Sequence, residues 1–297
     1  MSIDELEQVG CLRSSASTLR EFGFENCRIA SGLSPTSLLI ECGRDVIEKA
    51  GIKPDEVRRI FLYSGLGSWR AAGASKDMLD QFRYPVAQIR HELKLPHAEA
   101  LAVSQQGCSG LLSIMDLSKQ LLVSADRDGA VLCLAADSLP RSAKREIMYN
   151  LMSDAAGAVL VTKGAKKNRI VHYHQEIQSY YWNTPAHENE LLASYFPLAK
   201  KAIMSTLDEA GLKVADIRWF VPHNVSRRSW EILAKMISVP IEKVWTNNIR
   251  RVGHTVSCDH VINLVDMEQQ GRLDPDDYLV LFTFGFGATW SCMIIRH

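Results

Sequence analysis

The sequence has no excess of charge of either sign and no long apolar run. Its 297 residues include 34 Lys and Arg side chains and 34 Asp and Glu side chains, so the formal net charge is zero. A neutral total gives no indication of binding to nucleic acid or to an anionic membrane. No segment reaches the roughly 18 consecutive apolar residues that span a bilayer, and the acidic N-terminus MSIDELEQVG lacks the apolar core of a signal peptide. We therefore expect a cytoplasmic protein that binds neither nucleic acid nor membrane.

Paired cysteines are absent as well. The seven cysteines are odd in number, scattered, and without CxxC spacing. This distribution fits a reducing compartment better than a disulfide framework, and it argues against structural zinc. His172 and His174 lie two residues apart on one predicted strand, but no third ligand accompanies them. We expect no bound metal and no bound cofactor.

Short apolar runs alternate with longer helical patterns along the whole chain. Several of these runs are apolar throughout, as is typical of strands covered on both faces. The pattern predicts an α/β protein with helices on both sides of mixed sheets. The predicted strands are RRIFLYSG, EALAVSQ, AVLCLAAD, GAVLVTKG, RIVHYHQEI, RWFVPHN, KVWTNN, YLVLFTFG and SCMIIRH.

The chain also contains an internal duplication. DVIEKAGIKPDEVRRIFLYS (45–64) aligns without gaps on STLDEAGLKVADIRWFVPHN (205–224), and each copy predicts a helix, an Ala-Gly stop, a short turn and a buried strand. We predict two duplicated halves, residues 37–165 and 166–297, after an atypical N-terminal segment of residues 1–36. Two such halves would bring equivalent strand ends to one shared site.

Cys108 is the first candidate for that site. It lies in SQQGCSGLLSIMDLSKQLL (104–122), between Gly107 and Gly110, after a strand of buried type and directly before a helical pattern. The free N–H groups and the dipole of a helix N-terminus stabilise a thiolate, and the glycines permit a sharp turn into the helix. We predict that Cys108 is a nucleophile. The alternative is a buried structural thiol, which we predict for the other six cysteines.

Two histidines follow strands in the second half. His223 ends the apolar run of RWFVPHN, where it can act as a base or as a hydrogen-bond donor. His254, in VGHTVSCDH, aligns with Cys108 in the duplication and precedes a helix, so we expect the dipole to keep its ring neutral. Asn224 either orients the ring of His223 or caps the next helix, and we expect a cap.

A glycine turn near the C-terminus completes the pattern. LFTFGFGATWS (281–291) breaks a strand at Gly285 and Gly287, as close backbone approach or an oxyanion hole requires. GCSG, PHN, GHT and FGFGATW, in this order and together with SDAAGAVLV (153–161), resemble the thiolase superfamily, and within it the β-ketoacyl-acyl-carrier-protein synthase III group. The resemblance covers residues 37–297 and implies a five-layered αβαβα fold and a homodimer.

The resemblance also implies roles for the candidate residues. It makes Cys108 the acyl-accepting nucleophile and His223 and His254 its catalytic partners. It assigns the oxyanion hole to the N–H groups of Cys108 and of Phe286, within the glycine turn of residues 285–287.

The departures from the family pattern lie around His254. The synthase III pattern has Asn at this position, whereas GHT is the motif of elongating ketosynthases with a Cys-His-His site. Either group can hydrogen-bond a thioester carbonyl and stabilise the enolate formed when a malonyl unit loses carbon dioxide. Some acyltransferases of this fold instead use an acidic residue to orient the histidine and omit decarboxylation. For Asp259 we favour the simpler role of a carboxylate that satisfies a helix dipole.

Two features concern the acyl donor. Residues 1–36 lack the strand and the coenzyme A segment with which family members begin, which favours a donor on acyl carrier protein. Arg227, Arg228 and Lys235 lie on the helix after His223 and would suit a phosphopantetheine phosphate or an acidic carrier helix; the alternative is a solvated face. SGLGSWRAAGASKDMLDQFRYP (64–85) is a candidate lining of the pocket or of the dimer interface.

These features predict an acyl-thioester enzyme that forms an acyl-Cys108 intermediate. Its substrates would be acyl and malonyl thioesters of acyl carrier protein or coenzyme A. Decarboxylative condensation to a β-ketoacyl product is the first hypothesis, and the GHT motif favours it. The second is acyl transfer to an amine or alcohol without decarboxylation. The third is a non-catalytic partner subunit in a heterodimer.

Overall fold

The computed structural model describes residues 1–67, 77, 79, 82–125 and 129–297. More than half of the segment 64–85 therefore lies outside the described residues. The helices are α1 (Ile3–Gln8), α2 (Ala16–Glu21), α3 (Pro35–Ala50), α4 (Pro85–Glu92), α5 (Gly110–Ser124), α6 (Glu188–Glu209), α7 (Arg227–Met236), α8 (Asn247–Arg251) and α9 (Asp259–Gln269). The strands are β1 (Val57–Tyr63), β2 (Glu99–Val103), β3 (Ala130–Asp137), β4 (Glu146–Ile147), β5 (Asn150–Leu151), β6 (Ala155–Thr162), β7 (Arg169–Ile177), β8 (Ile217–Pro222), β9 (Tyr278–Gly285) and β10 (Thr289–Arg296).

Each copy of the duplicated segment forms the elements predicted for it. Helix α3 ends at Ala50 and is followed by Gly51 with φ of 65°, and α6 is followed by Gly211 with φ of 67°. Glycine adopts this left-handed conformation without steric cost, so it stops both helices at equivalent places. A short 3₁₀ turn then leads into β1 in the first copy and into β8 in the second.

The strands form two four-stranded sheets and one short hairpin. The first sheet has the order β2-β1-β3-β6 and the second the order β7-β10-β9-β8, while β4 pairs with β5. In the first sheet β1 is parallel to β3, and β3 is antiparallel to β6. In the second sheet β8 is parallel to β9, and β9 is antiparallel to β10. Three strands of each sheet therefore repeat one arrangement, β1-β3-β6 in the first and β8-β9-β10 in the second, and the turn at 164–169 connects the two sheets.

Three clusters of buried side chains join helices and sheets into five layers. The first cluster packs α3 and α4 on the outer face of the first sheet. The second holds α5 and α9 between the two sheets, with Leu111, Met115 and Met267 as buried members. The third packs α6 and α7 on the outer face of the second sheet. The predicted αβαβα fold is confirmed.

The structure corrects two strand predictions. Strand β2, expected to be buried, lies at the edge of its sheet, and Leu101 at its centre is 49% exposed. It is exposed because, among the described residues, it pairs with β1 alone. KVWTNN forms no strand: Val244 makes a single bridge to Phe220, and the chain then enters α8.

The N-terminal segment is an integral part of the third cluster. It forms α1 and α2, and Ile3, Leu6, Leu19 and Phe24 are all buried against the second half. Ser2 and Asn26 form a bridge that closes the segment on itself. Of the helices in the described part of the chain, none combines the length and the apolar character needed to cross a bilayer.

Candidate active site

Cys108 lies where two turns of the backbone meet, between the sheets. It is half-buried in a one-turn 3₁₀ helix, Gly107–Ser109, directly ahead of α5 as predicted. Gly107 has φ of 51°, and a Cβ added to it would lie 2.6 Å from the nitrogen of Phe286. A Cβ added to Gly110 would lie 2.0 Å from the ring of Tyr63. Both glycines are therefore required by close packing, which explains why the thiol stands between them.

The main-chain nitrogens of Cys108 and Phe286 approach each other at this point. A Cβ added to Gly285 would lie only 3.1 Å from the nitrogen of Cys108, and Gly287 has φ of 130°, a conformation suited to glycine. The glycine turn thus lies against the backbone of Cys108 with no side chain between them. Close backbone approach of this kind is one requirement of an oxyanion hole.

Cys108, His254 and Asp259 form a chain of hydrogen-bond contacts. Sγ of Cys108 lies 3.2 Å from Nε2 of His254, and Nδ1 of His254 lies 2.6 Å from Oδ2 of Asp259. His254 is 4% exposed and Asp259 1% exposed. The backbone fixes the ring in place, because the N–H of His254 donates to the carbonyl of Leu151 and its own carbonyl accepts from the N–H of Ser153.

The carboxylate of Asp259 is held by further donors. Oδ1 accepts from the N–H and the hydroxyl of Thr255, at 2.7 and 2.6 Å, and Oδ2 accepts from the N–H of Asn224 at 2.6 Å. Burial alone would raise the pKa of Asp259, but the adjacent His254 and these hydrogen bonds lower it to about 2. Asp259 is the first residue of α9, yet it does more than lie at the helix N-terminus, because its Oδ2 also contacts Nδ1 of His254.

The contacts of His254 oppose the neutral ring expected from the helix dipole. Burial lowers the pKa of His254, but the charges of Asp259 and Cys108, with the hydrogen bonds to them, raise it well above its usual range. A carboxylate in direct contact acts more strongly on the ring than the partial charge of a helix end.

His223 lies at the end of β8 with a different set of contacts. Its Nε2 lies 2.9 Å from the hydroxyl of Tyr195, and its Nδ1 is buried without a partner among the described residues. Its ring lies 6.0 Å from that of His254, at right angles. Burial, and next the positive charge of His254, hold the pKa of His223 well below its usual range.

Cys108, His223 and His254 line a cavity of about 610 Å³. Most of its other lining side chains are apolar or aromatic, as is usual for a ligand pocket. They are Leu66, Ile147, Met148, Met152, Trp182, Leu191, Leu192, Tyr195, Phe196, Val225, Val256, Phe284 and Phe286. A second hollow of about 560 Å³ shares Ile147, Met148, Thr184 and Phe286 with it and extends towards the N-terminal segment at Arg13 and Ser14.

Other predicted site residues lie elsewhere. Arg227, Arg228 and Lys235 are exposed on α7 and do not line the cavity, and Arg227 pairs with Glu231 at 3.0 Å. The prediction that Asn224 caps α7 is wrong, because Ser226 is the cap. Asn224 is fully buried instead; its Oδ1 accepts from Asn263, and its N–H donates to Asp259.

His172 and His174 do not form a metal site in the described chain. Both contact Glu209 on α6, at 2.8 and 3.1 Å. Within the described residues, no group of three or more His, Cys, Asp or Glu side chains has an arrangement that could hold a metal ion.

The sequence did not point to Tyr195. It lies in the middle of α6, in LLASYFPLAK, without a motif and outside the segments aligned in the duplication. Its contact with His223 depends on how α6 packs over the second sheet, which spacing along the chain does not reveal.

Comparisons with known proteins match most of the chain to one group. The family models for 3-oxoacyl-[acyl-carrier-protein] synthase III and for the C-terminal part of the same enzyme match residues 104–179 and 207–297, together more than half of the chain. The β-ketoacyl-[acyl-carrier-protein] synthase III of Staphylococcus haemolyticus is 28% identical over 292 residues, which cover 92% of this chain and 87% of that protein.

Two solved structures show the same fold over the full chain. The 3-oxoacyl-[acyl-carrier-protein] synthase III of Aquifex aeolicus has a TM-score of 0.84 and 21% identity, covering 100% of this chain and 95% of that one. The acyltransferase ChlB3 has a TM-score of 0.86 and 19% identity, covering 100% of this chain and 93% of that one.

Proposed function

This chain belongs to the 3-oxoacyl-[acyl-carrier-protein] synthase III family of the thiolase superfamily, and from that premise we propose that it transfers an acyl group from a thioester, through Cys108, to an alcohol or amine. Its class, acyltransferase, follows from the family. The identity of the acceptor is the new element. The observation that supports it is the contact of 2.6 Å between Asp259 and Nδ1 of His254.

That contact determines what Nε2 of His254 can do. A carboxylate accepts a hydrogen bond only from a nitrogen that carries a proton, so Nδ1 keeps its hydrogen, and any proton that the ring gives up or takes is on Nε2. A bare Nε2 beside Cys108 is a base. Decarboxylative condensation needs the opposite, a donor that stabilises the enolate oxygen of the malonyl thioester. The triad therefore favours a nucleophile that must lose a proton, such as an alcohol or amine.

The reaction divides into two steps. In the first step Nε2 of His254 takes the proton of the Cys108 thiol, which leaves an imidazolium beside a thiolate. The thiolate attacks the thioester carbonyl, the oxyanion rests on the N–H groups of Cys108 and Phe286, and the donor thiolate leaves with the Nε2 proton of His254. In the second step the acceptor attacks the acyl-Cys108 carbonyl, gives its proton to Nε2, and releases the Cys108 thiolate.

Decarboxylative condensation is the second candidate. The family match and the pair of histidines, whose rings lie 6.0 Å apart at the cavity, favour it. A His254 that stays protonated after acylation would supply the required donor.

The acyl donor and the assembly belong to the same proposal. Relatives are named for acyl carrier protein, and the exposed basic side chains of α7, Arg228 and Lys235, would suit an acidic carrier or a phosphopantetheine phosphate. The exposed edge of β2, four residues before Gly107, supports a homodimer formed through this strand.

Intact-protein mass spectrometry tests the first step. The chain is incubated with acetyl, hexanoyl and longer acyl thioesters, each on coenzyme A and on acyl carrier protein, and the modified residue is located by peptide mapping. We expect a mass gain at Cys108 that is absent in Cys108→Ala. A wild-type chain that gains no acyl group from any donor would support a non-catalytic partner subunit instead.

A further inference from the structure

Tyr195 and His223 form a hydrogen-bonded pair that the two steps above do not use. In the fold, His223 ends β8 and its imidazole is buried, while Tyr195 reaches it from α6 and lines the cavity. Both side chains line the cavity, and the phenol oxygen lies 2.9 Å from Nε2 of the imidazole.

The surroundings of His223 decide which of its nitrogens carries hydrogen. Nδ1 has no partner among the described residues, whereas Nε2 has the hydroxyl of Tyr195 at 2.9 Å. A hydrogen on Nδ1 would be an unpaired buried N–H, which folded proteins rarely contain; an unpaired acceptor is tolerated more often. The hydrogen is therefore on Nε2, and it points at the oxygen of Tyr195.

This tautomer leaves the hydroxyl hydrogen of Tyr195 free. A phenol oxygen can accept one hydrogen bond and donate another. Because it accepts from His223, the Tyr195 O–H becomes a better donor, and within the described residues only His223 contacts it. Burial, and next the negative charge of Cys108, raise the pKa of Tyr195, so the phenol stays protonated at any pH the enzyme meets.

We propose that the hydroxyl of Tyr195, held by Nε2 of His223, donates a hydrogen bond to a polar atom of the acyl acceptor in the second step. In the proposed transfer the carbonyl oxygen of the acyl group accepts from the N–H groups of Cys108 and Phe286, so the tyrosine is left for the acceptor. The inference rests on the proposed transfer and adds a requirement: the acceptor has an oxygen or nitrogen that accepts a hydrogen bond at this place.

Tyr195→Phe tests the role without removing the ring. Acylation of Cys108 should stay within about threefold of wild type, because the oxyanion donors and His254 are untouched. Discharge of the acyl-enzyme by ethanolamine, benzylamine or 3-phenylpropanol should slow by about tenfold or more, with a higher KM for the acceptor. Tyr173→Phe is the matched control: its hydroxyl contacts Ser113 and Ser291 at 2.8 and 3.2 Å, away from the cavity, and its removal should leave both steps unchanged.

Two results would overturn the inference. One is a Tyr195→Phe enzyme that loses its acyl group as fast as wild type does, measured with an acceptor that removes the acyl group from wild-type Cys108. The other comes from long-range ¹H–¹⁵N spectra of histidine-labelled protein, in which the His223 signals are assigned by their loss in His223→Gln. A hydrogen on Nδ1 of His223 would mean that the hydroxyl of Tyr195 donates to Nε2 and is not free to donate to the acceptor. Discharge by malonyl thioester alone would contradict the proposed acceptor class, while these two readouts would still decide the role of Tyr195.

Discussion

At the scale of single residues, the proposed transfer depends on the position of one carboxylate beside His254. Asp259 lies five residues after His254, and Val256 between them has φ of 60°. This unusual backbone conformation turns the chain so that the first residue of α9 faces back towards the histidine. The four hydrogen-bond contacts of Asp259 then hold it in place.

Asp259→Asn should lower the rate of Cys108 acylation by about 10² to 10⁴, because the amide neither fixes the Nδ1–H tautomer nor carries charge. The pH profile should change too. Asp259 raises the pKa of His254, and acylation needs the imidazolium, so activity is lost as pH rises through that pKa. In the variant this loss should begin at a lower pH. Single-turnover acylation across pH measures both effects.

Asp266→Asn is the control, since Asp266 lies further along α9 and pairs with Arg251 outside the cavity. It should leave the acylation rate and the pH profile unchanged. An alkaline limb that stays in place in Asp259→Asn would contradict the role given to this carboxylate.

The sequence allowed part of the site to be predicted. Cys108, His223 and His254 each lie at the end of a strand or the start of a helix in a short motif, so their shared location followed from the duplication. The role of Asp259 depended on a backbone turn at Val256, and that of Tyr195 on the packing of α6. Neither is set by local spacing, which is why a capping carboxylate was expected and the tyrosine was not found.

At the scale of elements, α5 begins where a glycine packs against a neighbouring strand. Gly110→Ala should lower the free energy of unfolding by about 1–3 kcal/mol, because the new Cβ would overlap the ring of Tyr63 on β1. It should also displace Cys108 and slow acylation. Leu117→Ala, at a partly exposed position on the same helix, should cost less. Chemical denaturation compares the two, and equal stabilities of Gly110→Ala and wild type would contradict the packing.

The N-terminal helices provide a second prediction at this scale. Leu19 on α2 is fully buried in the cluster shared with the second half, so Leu19→Ala should cost about 2–5 kcal/mol. Its neighbour Arg20 forms an exposed ion pair with Asp4, and Arg20→Ala should cost less than about 1 kcal/mol. Urea unfolding measures both. A tolerated Leu19→Ala would show that residues 1–36 are not part of the core.

Prediction of the elements succeeded where the apolar pattern alone decides, as in β3, and failed at the sheet edges. EALAVSQ precedes Cys108 and KVWTNN precedes His254, two residues that align in the duplication, yet the first segment is an exposed strand and the second makes a single bridge. Edge positions have one partner strand or none, so tertiary contacts rather than composition determine whether a regular strand forms.

At the scale of the whole molecule, the exposed edge of β2 predicts a homodimer. A two-fold antiparallel pairing of this five-residue strand would place Leu101 opposite Leu101 of its partner. Leu101→Glu would then set like charges against each other and should yield monomers in light scattering at micromolar concentration. Val123→Glu, at a residue that is 74% exposed on α5, should remain dimeric. A wild-type chain that is monomeric at this concentration would contradict the prediction.

The identity of the molecule that removes the acyl group from Cys108 tests the proposed function most directly. Cys108 is loaded with an acyl group, the donor is removed, and the acyl-enzyme is offered either a malonyl thioester with a labelled carboxylate or an alcohol or amine. The triad of Cys108, His254 and Asp259 predicts that the alcohol or amine removes the acyl mass and that no labelled carbon dioxide appears. Discharge by the malonyl thioester with release of labelled carbon dioxide, and none by alcohols or amines, would establish a condensing enzyme instead.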